Sequence, residues 1–63
     1  MIYDNIKTLA DKKGISIAEI EKRARIGNGI IGKWKESSPN IDSLVKVAKV
    51  LGVSINTLTK GYE

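Results

Sequence analysis

Residues 14–34 read GISIAEIEKRARIGNGIIGKW, and this stretch decides the fold because it holds two helix signals separated by a three-residue turn. Ser16, with a glutamate three residues later, forms a capping box that predicts a short helix over about residues 17–24. A second helix is predicted over about residues 28–36. Two short helices joined by so tight a turn form a helix-turn-helix unit, which covers about residues 16–36.

Three glycines mark the second of these helices, although a glycine inside a helix costs roughly 1 kcal/mol relative to alanine. We interpret Gly27 as the residue that ends the turn and caps the helix. Gly29 and Gly32 are expected on its outward face, where the absence of a side chain lets another molecule come close to the backbone. Two alternatives remain: the glycines are neutral in a helix held by Ile31 and Trp34, or the segment is a loop.

The remaining turn and cap signals predict three more helices, over about residues 3–13, 41–51 and 55–60. No segment long enough for a strand shows the period-2 alternation of one. We therefore predict an all-α, five-helix domain that covers residues 1–63. The residues that mark the ends of these three helices are Gly14, Asn40, Gly52, Ser54 and Gly61.

Apolar residues at helical spacing predict a single core. A chain of this length buries only about 60% of the surface that its unfolded form exposes, so the core is small. Trp34 is its largest member, and we interpret it as a core anchor rather than a ligand-stacking group, because no second aromatic lies near it in sequence. The predicted core consists of Ile6, Leu9, Ala10, Ile15, Ile20, Ala24, Ile26, Ile31, Trp34, Ile41, Leu44, Val47, Ala48, Leu51, Val53 and Leu58.

The composition excludes several classes of protein. Without cysteine or histidine, the chain cannot form disulfides, thiolate or imidazole metal sites, or Cys–His and Ser–His catalytic pairs. Because its seven acidic residues are scattered, we expect no metal, no cofactor, no small-molecule ligand and no enzymatic activity. Asp4 and Lys7 interrupt the apolar run that a signal peptide would need, so we expect no signal peptide. No apolar stretch approaches the ~18 residues of a membrane span. We expect a cytoplasmic protein with no membrane partner.

Positive charge is concentrated in one part of the chain. The whole sequence has a net charge of +4, whereas residues 12–35 alone have a net charge of +5 and the rest sums to −1. Such a concentrated field favours a polyanionic partner, with a solvated lysine-rich surface as the alternative. The candidate phosphate-binding cations are Lys13, Arg25, Lys33 and Lys35, ranked above Lys22 and Arg23, which we expect on the side of their helix away from the turn.

The sequence resembles the phage-repressor/Cro-type (Xre-type) helix-turn-helix family over about residues 6–61. Three stretches carry the resemblance: KGIS at residues 13–16, IGKW at residues 31–34, and LVKVAKVLGVSINTL at residues 44–58. The resemblance implies a compact, lambda-repressor-like domain of five helices. It also implies that the second helix of the helix-turn-helix unit reads the major groove of double-stranded DNA.

The resemblance further implies roles for individual residues. The domain would bind a roughly palindromic operator as a two-fold dimer that is weak in free solution. Base contacts are expected from Asn28, Gly29 and Lys33, with Ile30 and Gly32 as possible additions. Phosphate contacts are expected from Ser16, Ile17, Ser37 and Ser38, besides Lys13, Arg25 and Lys35. Dimer contacts are expected near the fourth and fifth helices, from Val50, Ile55 and Tyr62.

Four positions depart from the pattern of the family. Ile17 replaces a common glutamine, Glu21 a small residue, Arg25 the usual turn glycine, and Gly27 a serine or threonine cap. The side chain of Ile17 cannot hydrogen-bond a phosphate. It either packs against Ile30 at the DNA-facing edge, or Ile30 contacts a thymine methyl group.

The predicted function is that of a sequence-specific DNA-binding regulator, bacterial or phage-encoded, that acts as a repressor. The alternative is a helical protein-interaction module, similar to an antitoxin or antirepressor partner, with weak or no specificity for DNA. The glycine-rich second helix and Ile17 are the features that keep this alternative open.

Overall fold

A computed structural model of the chain describes residues 2–60, which form five helices and their connecting turns, with no strand. The predicted all-α class is therefore confirmed. The longest helix has 12 residues, and no helix in this range is long and apolar enough to cross a membrane. The helices are α1 (Ile2–Lys13), α2 (Ile17–Ala24), α3 (Ile30–Lys33), α4 (Ile41–Leu51) and α5 (Ile55–Leu58).

Local capping sets the starts of α2, α4 and α5. In each case a side-chain oxygen of the residue before the helix accepts a hydrogen bond from the backbone N–H three residues later. Because each cap depends only on near neighbours in sequence, the three predicted starts are confirmed. The bonds join Ser16 to Glu19 at 3.0 Å, Asn40 to Ser43 at 2.8 Å, and Ser54 to Thr57 at 3.3 Å.

Glycines in the left-handed region terminate α1 and α4. Gly14 has a φ of +70° and Gly52 a φ of +69°. In both cases the N–H of the following residue bonds to the carbonyl five positions back, which closes the last turn in a Schellman motif. These two predicted helix ends are confirmed.

A contact between the two ends of the chain terminates α5. The side-chain amide of Asn5 donates to the carbonyl of Leu58 at 2.8 Å and to that of Lys60 at 2.9 Å. The helix ends at Leu58, two residues before the predicted end at Lys60. The carbonyl of Leu58, the last of the helix, thus accepts from a side chain of α1, whereas that of Ile55 accepts from the N–H of Thr59. The predicted terminating glycine, Gly61, lies outside the described residues.

The core lies between α2 and α4, with α1 and α5 closing its other side. Trp34 is only 6% exposed, which confirms its predicted place as a core anchor. The predicted core members Leu9, Ile15, Ile26 and Val53 are half-buried against this cluster. The buried side chains are Ile2, Ile6, Ala10, Ile20, Ala24, Ile31, Trp34, Leu44, Val47, Ala48, Leu51 and Leu58.

One predicted core residue is on the surface. Ile41 is 66% exposed, although its spacing from Leu44 continues the apolar stripe of α4. It is the first residue of the helix, and burial on this face begins only at Leu44. The stripe therefore extends beyond the neighbours that pack on α4, and the assignment of Ile41 to the core is wrong.

Candidate nucleic-acid interface

The connection between α2 and α3 spans residues 25–29. Arg25 has a φ of +58° and a ψ of +40°, in the left-handed region. The N–H groups of Arg25 and Ile26 bond to the carbonyls of Lys22 at 3.2 Å and Glu21 at 3.1 Å. The end of α2 thus has the geometry of the ends of α1 and α4, but an arginine stands where those helices have glycine.

The recognition segment, as we call residues 28–33, begins with a turn rather than with a helix. Gly29 is the N-cap of α3, with a φ of +85° and no side-chain cap of its own. The N–H of Ile30 bonds to the carbonyl of Gly27 at 3.3 Å across this turn. Because left-handed backbone interrupts a right-handed helix, α3 begins at Ile30. The helix thus begins two residues after the predicted start at Asn28, and the prediction of Gly27 as its cap is wrong.

The end of α3 also differs from the prediction of Glu36. The regular helix ends at Lys33, and the chain continues in tighter turns whose bonds join each N–H to the carbonyl three residues back. Trp34 donates to Ile31 at 3.0 Å, and Glu36 donates to Lys33 at 3.1 Å. Such turns are common where an α-helix ends, and here they carry the helical path to Glu36.

A buried carboxylate joins α2 to the recognition segment. Glu21 is 4% exposed, and its two oxygens accept hydrogen bonds from the backbone N–H groups of Gly29 at 3.1 Å and Ile31 at 3.0 Å. Side-chain capping of α3 therefore comes from the preceding helix. Sequence reasoning missed this role and recorded Glu21 only as a departure. The sequence does hold a signal for this role, because Glu21 directly follows the inward-facing Ile20. A charged side chain that is buried there needs a hydrogen-bonding partner.

The three glycines of the unit have three different environments. Gly27 is exposed, but a Cβ added to it would lie 2.9 Å from Cδ1 of Ile30, so the Ile30 side chain would have to shift. Gly29 needs its left-handed backbone conformation, and the expectation that it lies within the helix is wrong. Gly32 is exposed within α3, and an added Cβ would have nothing within 4 Å. Neither space nor backbone conformation requires glycine at position 32.

The recognition segment separates into an exposed and a covered set of side chains. Asn28, Gly32 and Lys33 are exposed, as is Gly29, whereas Ile31 is buried. The exposed set offers an amide that can both donate and accept, an ammonium group, and uncovered helix backbone. These are groups that can hydrogen-bond the edges of bases.

The two isoleucines left open by the sequence both contact the protein interior. Ile17, the first residue of α2, and Ile30 are half-buried against the hydrophobic core. The end of the Ile30 side chain also lies close to Gly27. Most of the surface of Ile30 is thus covered by its own domain, which leaves only its edge for a base contact.

Most of the candidate phosphate-binding residues are exposed, and several have internal contacts. The hydroxyl of Ser16 caps α2, and that of Ser37 donates to the carbonyl of Lys33 at 3.2 Å. The ammonium of Lys35 lies 4.7 Å from the centroid of the Tyr3 ring, a cation–π distance. The exposed members of the set are Lys13, Ser16, Arg25, Lys35, Ser37 and Ser38, while Ile17 is half-buried.

The two lowest-ranked cations belong to α2, and two of the dimer candidates belong to α4 and α5. Arg23 pairs with Glu19 at 2.9 Å along the surface of α2, and Lys22 is exposed next to it. Val50 and Ile55 are half-buried against the core, so only part of each is free for a second subunit. The third dimer candidate, Tyr62, lies outside the described residues.

The sequence was also compared with known proteins. Residues 6–58, most of the chain, match the family model described as helix-turn-helix. No curated protein and no solved structure matches the chain. The matched region contains all of α2, α3, α4 and α5, including the Glu21 contacts and the recognition segment. The chain belongs to the phage-repressor/Cro-type helix-turn-helix family of DNA-binding regulators.

Proposed function

We propose that this protein is a transcriptional repressor that binds a specific operator, with the recognition segment in the major groove. One observation carries the proposal: the segment exposes Asn28, Gly32 and Lys33 while Ile31 is buried in the core. The short helix is thus anchored to the core by its apolar side, and its polar side is exposed to solvent. That is the presentation that a groove-reading helix needs.

The chemistry of the exposed residues suits direct reading of base edges. An asparagine amide can pair with adenine through N6 and N7, and a lysine can donate to O6 and N7 of guanine. Asn28 lies just before α3 and Lys33 is its last residue, so the two would reach different base pairs or a base and a phosphate.

Gly32 supports a close approach between helix and DNA. Glycine in a helix costs roughly 1 kcal/mol relative to alanine, and nothing in the fold requires it at this position. Without a side chain there, the backbone of α3 can sit nearer to the bases. Asn28 and Lys33 would then reach further into the groove.

Phosphate contacts would come from residues on both sides of the recognition segment. Lys13 and Arg25 are exposed cations close in sequence to the two ends of α2, and Lys35 would leave the ring of Tyr3 to reach the backbone. Ile17 would contribute through its backbone, because the first N–H groups of a helix have no intrahelical acceptor.

Assembly as a two-fold dimer would supply the specificity that one short helix lacks. We propose a weak homodimer that forms on a roughly palindromic operator, with half-sites about one helical turn (roughly 34 Å) apart. Tyr62 and the exposed parts of Val50 and Ile55 are the proposed contacts. Its setting would be the cytoplasm, in bacteria or during phage infection, where such operators are accessible.

Selection of bound fragments from a random pool of double-stranded DNA tests the proposal. We expect one enriched sequence with two-fold symmetry, followed by mobility shifts that favour it over a scrambled version at the same salt concentration. Enrichment of no sequence, with equal and weak binding to both DNAs, would contradict it. The protein-interaction alternative would then become the leading function.

A further inference from the structure

Glu21 is a charged residue in a position that suits a core residue. It lies between Ile20 and Ala24 on the inward face of α2 and is 4% exposed. Both oxygens of its carboxylate bond to backbone N–H groups that lie eight and ten residues further along the chain. It is the one charged side chain among the buried residues of the described part of the chain.

The helix that Glu21 caps cannot hold its own orientation. With four residues, α3 is far below the ~12–15 residues at which an isolated helix becomes even marginally stable. Ile31 and Trp34 anchor it to the core, but hydrophobic contacts are non-directional. The two hydrogen bonds to the carboxylate are directional, and its negative charge favours the N-terminal end of the helix.

We propose that Glu21 is a positioning residue for base reading, an inference that rests on the proposed function. Its carboxylate holds the turn at Gly29 and the start of α3, so that the neighbouring Asn28 faces the groove in one orientation. Only a carboxylate offers two acceptor oxygens, whereas a glutamine offers one acceptor and an NH₂ group. Glu21→Gln keeps the size of the side chain but opposes one backbone donor with another donor.

The matched control is Glu19→Gln on the same helix. Glu19 lies near the surface, where it pairs with Arg23. Both substitutions remove one negative charge, which by itself strengthens binding to any DNA. We therefore expect Glu19→Gln to bind the selected operator as the wild type does, or slightly more tightly.

Glu21→Gln is expected to behave in the opposite way. Loss of one hydrogen bond to a charged group should weaken operator binding roughly tenfold, while binding to scrambled DNA changes less than about twofold. A loss that is confined to the operator, despite the more favourable charge, is not the result of a general electrostatic or folding defect.

Amide hydrogen exchange of the free proteins supplies a second readout. In Glu21→Gln, exchange at Gly29 and Ile31 should become faster than in the wild type, while the core amide of Leu51 stays protected. If this variant is partly unfolded, binding is measured in trimethylamine oxide, which favours the folded state. Glu21→Asp, which keeps the charge but is one methylene too short for both bonds, should also lose preference for the operator.

Two results would overturn the inference. One is that Glu21→Gln keeps the operator preference of Glu19→Gln. The other is that it loses the same factor on operator and scrambled DNA while folded. A wild-type protein with no operator preference would instead refute the proposed function, and hydrogen exchange would still report whether Glu21 holds the start of α3.

Discussion

Gly29 and Gly32 lie three residues apart, both exposed and both with nothing within 4 Å of an added Cβ, but only Gly29 has a left-handed backbone, with a φ of +85°. The same residue type therefore serves two purposes. At position 29 it allows the turn that starts α3. At position 32 the fold has no need of it, so substitution by alanine should have opposite effects on stability at the two sites.

Gly29→Ala should lower the free energy of unfolding by roughly 1–2 kcal/mol, because an L-residue pays that cost in the left-handed region. No steric clash adds to it, since space around the new methyl group is open. Urea denaturation followed by Trp34 fluorescence measures the change. A variant as stable as the wild type would contradict the backbone conformation described for this turn.

Gly32→Ala should raise the free energy of unfolding by about 0.5–1 kcal/mol, because alanine favours the helix more than glycine does. Its affinity for the operator should nevertheless fall, since the new methyl group would stand between the helix backbone and the bases. The same denaturation experiment measures the change in stability, and a titration with operator DNA measures the change in affinity. Equal or tighter binding by the stabilised variant would show that close approach at this position is not used.

Trp34→Ala and Ile41→Ala form a matched pair of large hydrophobic truncations. Trp34 is 6% exposed, and its loss should cost about 3–5 kcal/mol, enough to unfold most of a domain this small. Ile41 is 66% exposed, so its truncation should change stability by less than about 0.5 kcal/mol. Thermal unfolding by circular dichroism separates them. Similar melting temperatures for the two variants would contradict the described core.

Arg25→Gly should make the protein more stable but weaken its binding to DNA. Glycine removes the left-handed strain at a φ of +58°, a gain of about 1 kcal/mol. If about four phosphates are neutralised per monomer, log K should fall against log salt with a slope near −3.6, and loss of one contact should reduce the slope by about 0.9.

Arg25→Ala is the control for the arginine, because it removes the charge but keeps a side chain in the left-handed region. It should share the smaller salt slope without the gain in stability. If both variants keep the wild-type slope, Arg25 makes no phosphate contact.

Asn28→Ala and Lys33→Ala separate base reading from general attraction. Asn28→Ala should lose roughly 1–3 kcal/mol of binding free energy on the operator and almost none on scrambled DNA. The reason is that an uncharged amide adds to binding by hydrogen-bonding a particular base. Lys33→Ala should weaken binding to both DNAs, since its charge attracts any duplex. Competition titrations at one salt concentration measure the affinity of each variant for the operator and for scrambled DNA. Unchanged operator binding by folded Asn28→Ala would move the reading face away from the start of α3.

The starts and ends of most helices were predictable because their determinants are local. Ser16, Asn40 and Ser54 each cap a helix by bonding to an N–H three residues away, and Gly14 and Gly52 close helices through their own backbone freedom. Such interactions join residues that are at most five positions apart, so the local sequence is enough to predict them. The resemblance to the helix-turn-helix family also rests on short contiguous stretches of sequence, and the match over residues 6–58 confirms it.

The tertiary structure decided the features that depend on contacts between distant residues. The cap of α3 comes from Glu21, up to ten residues earlier, and the end of α5 from Asn5, more than fifty residues earlier. Ile41 continues an apolar stripe in sequence, but only the reach of the neighbouring helices determines whether anything covers it. Periodicity assigns a residue to a face of a helix, whereas burial and hydrogen-bond partners follow from how the helices pack against one another.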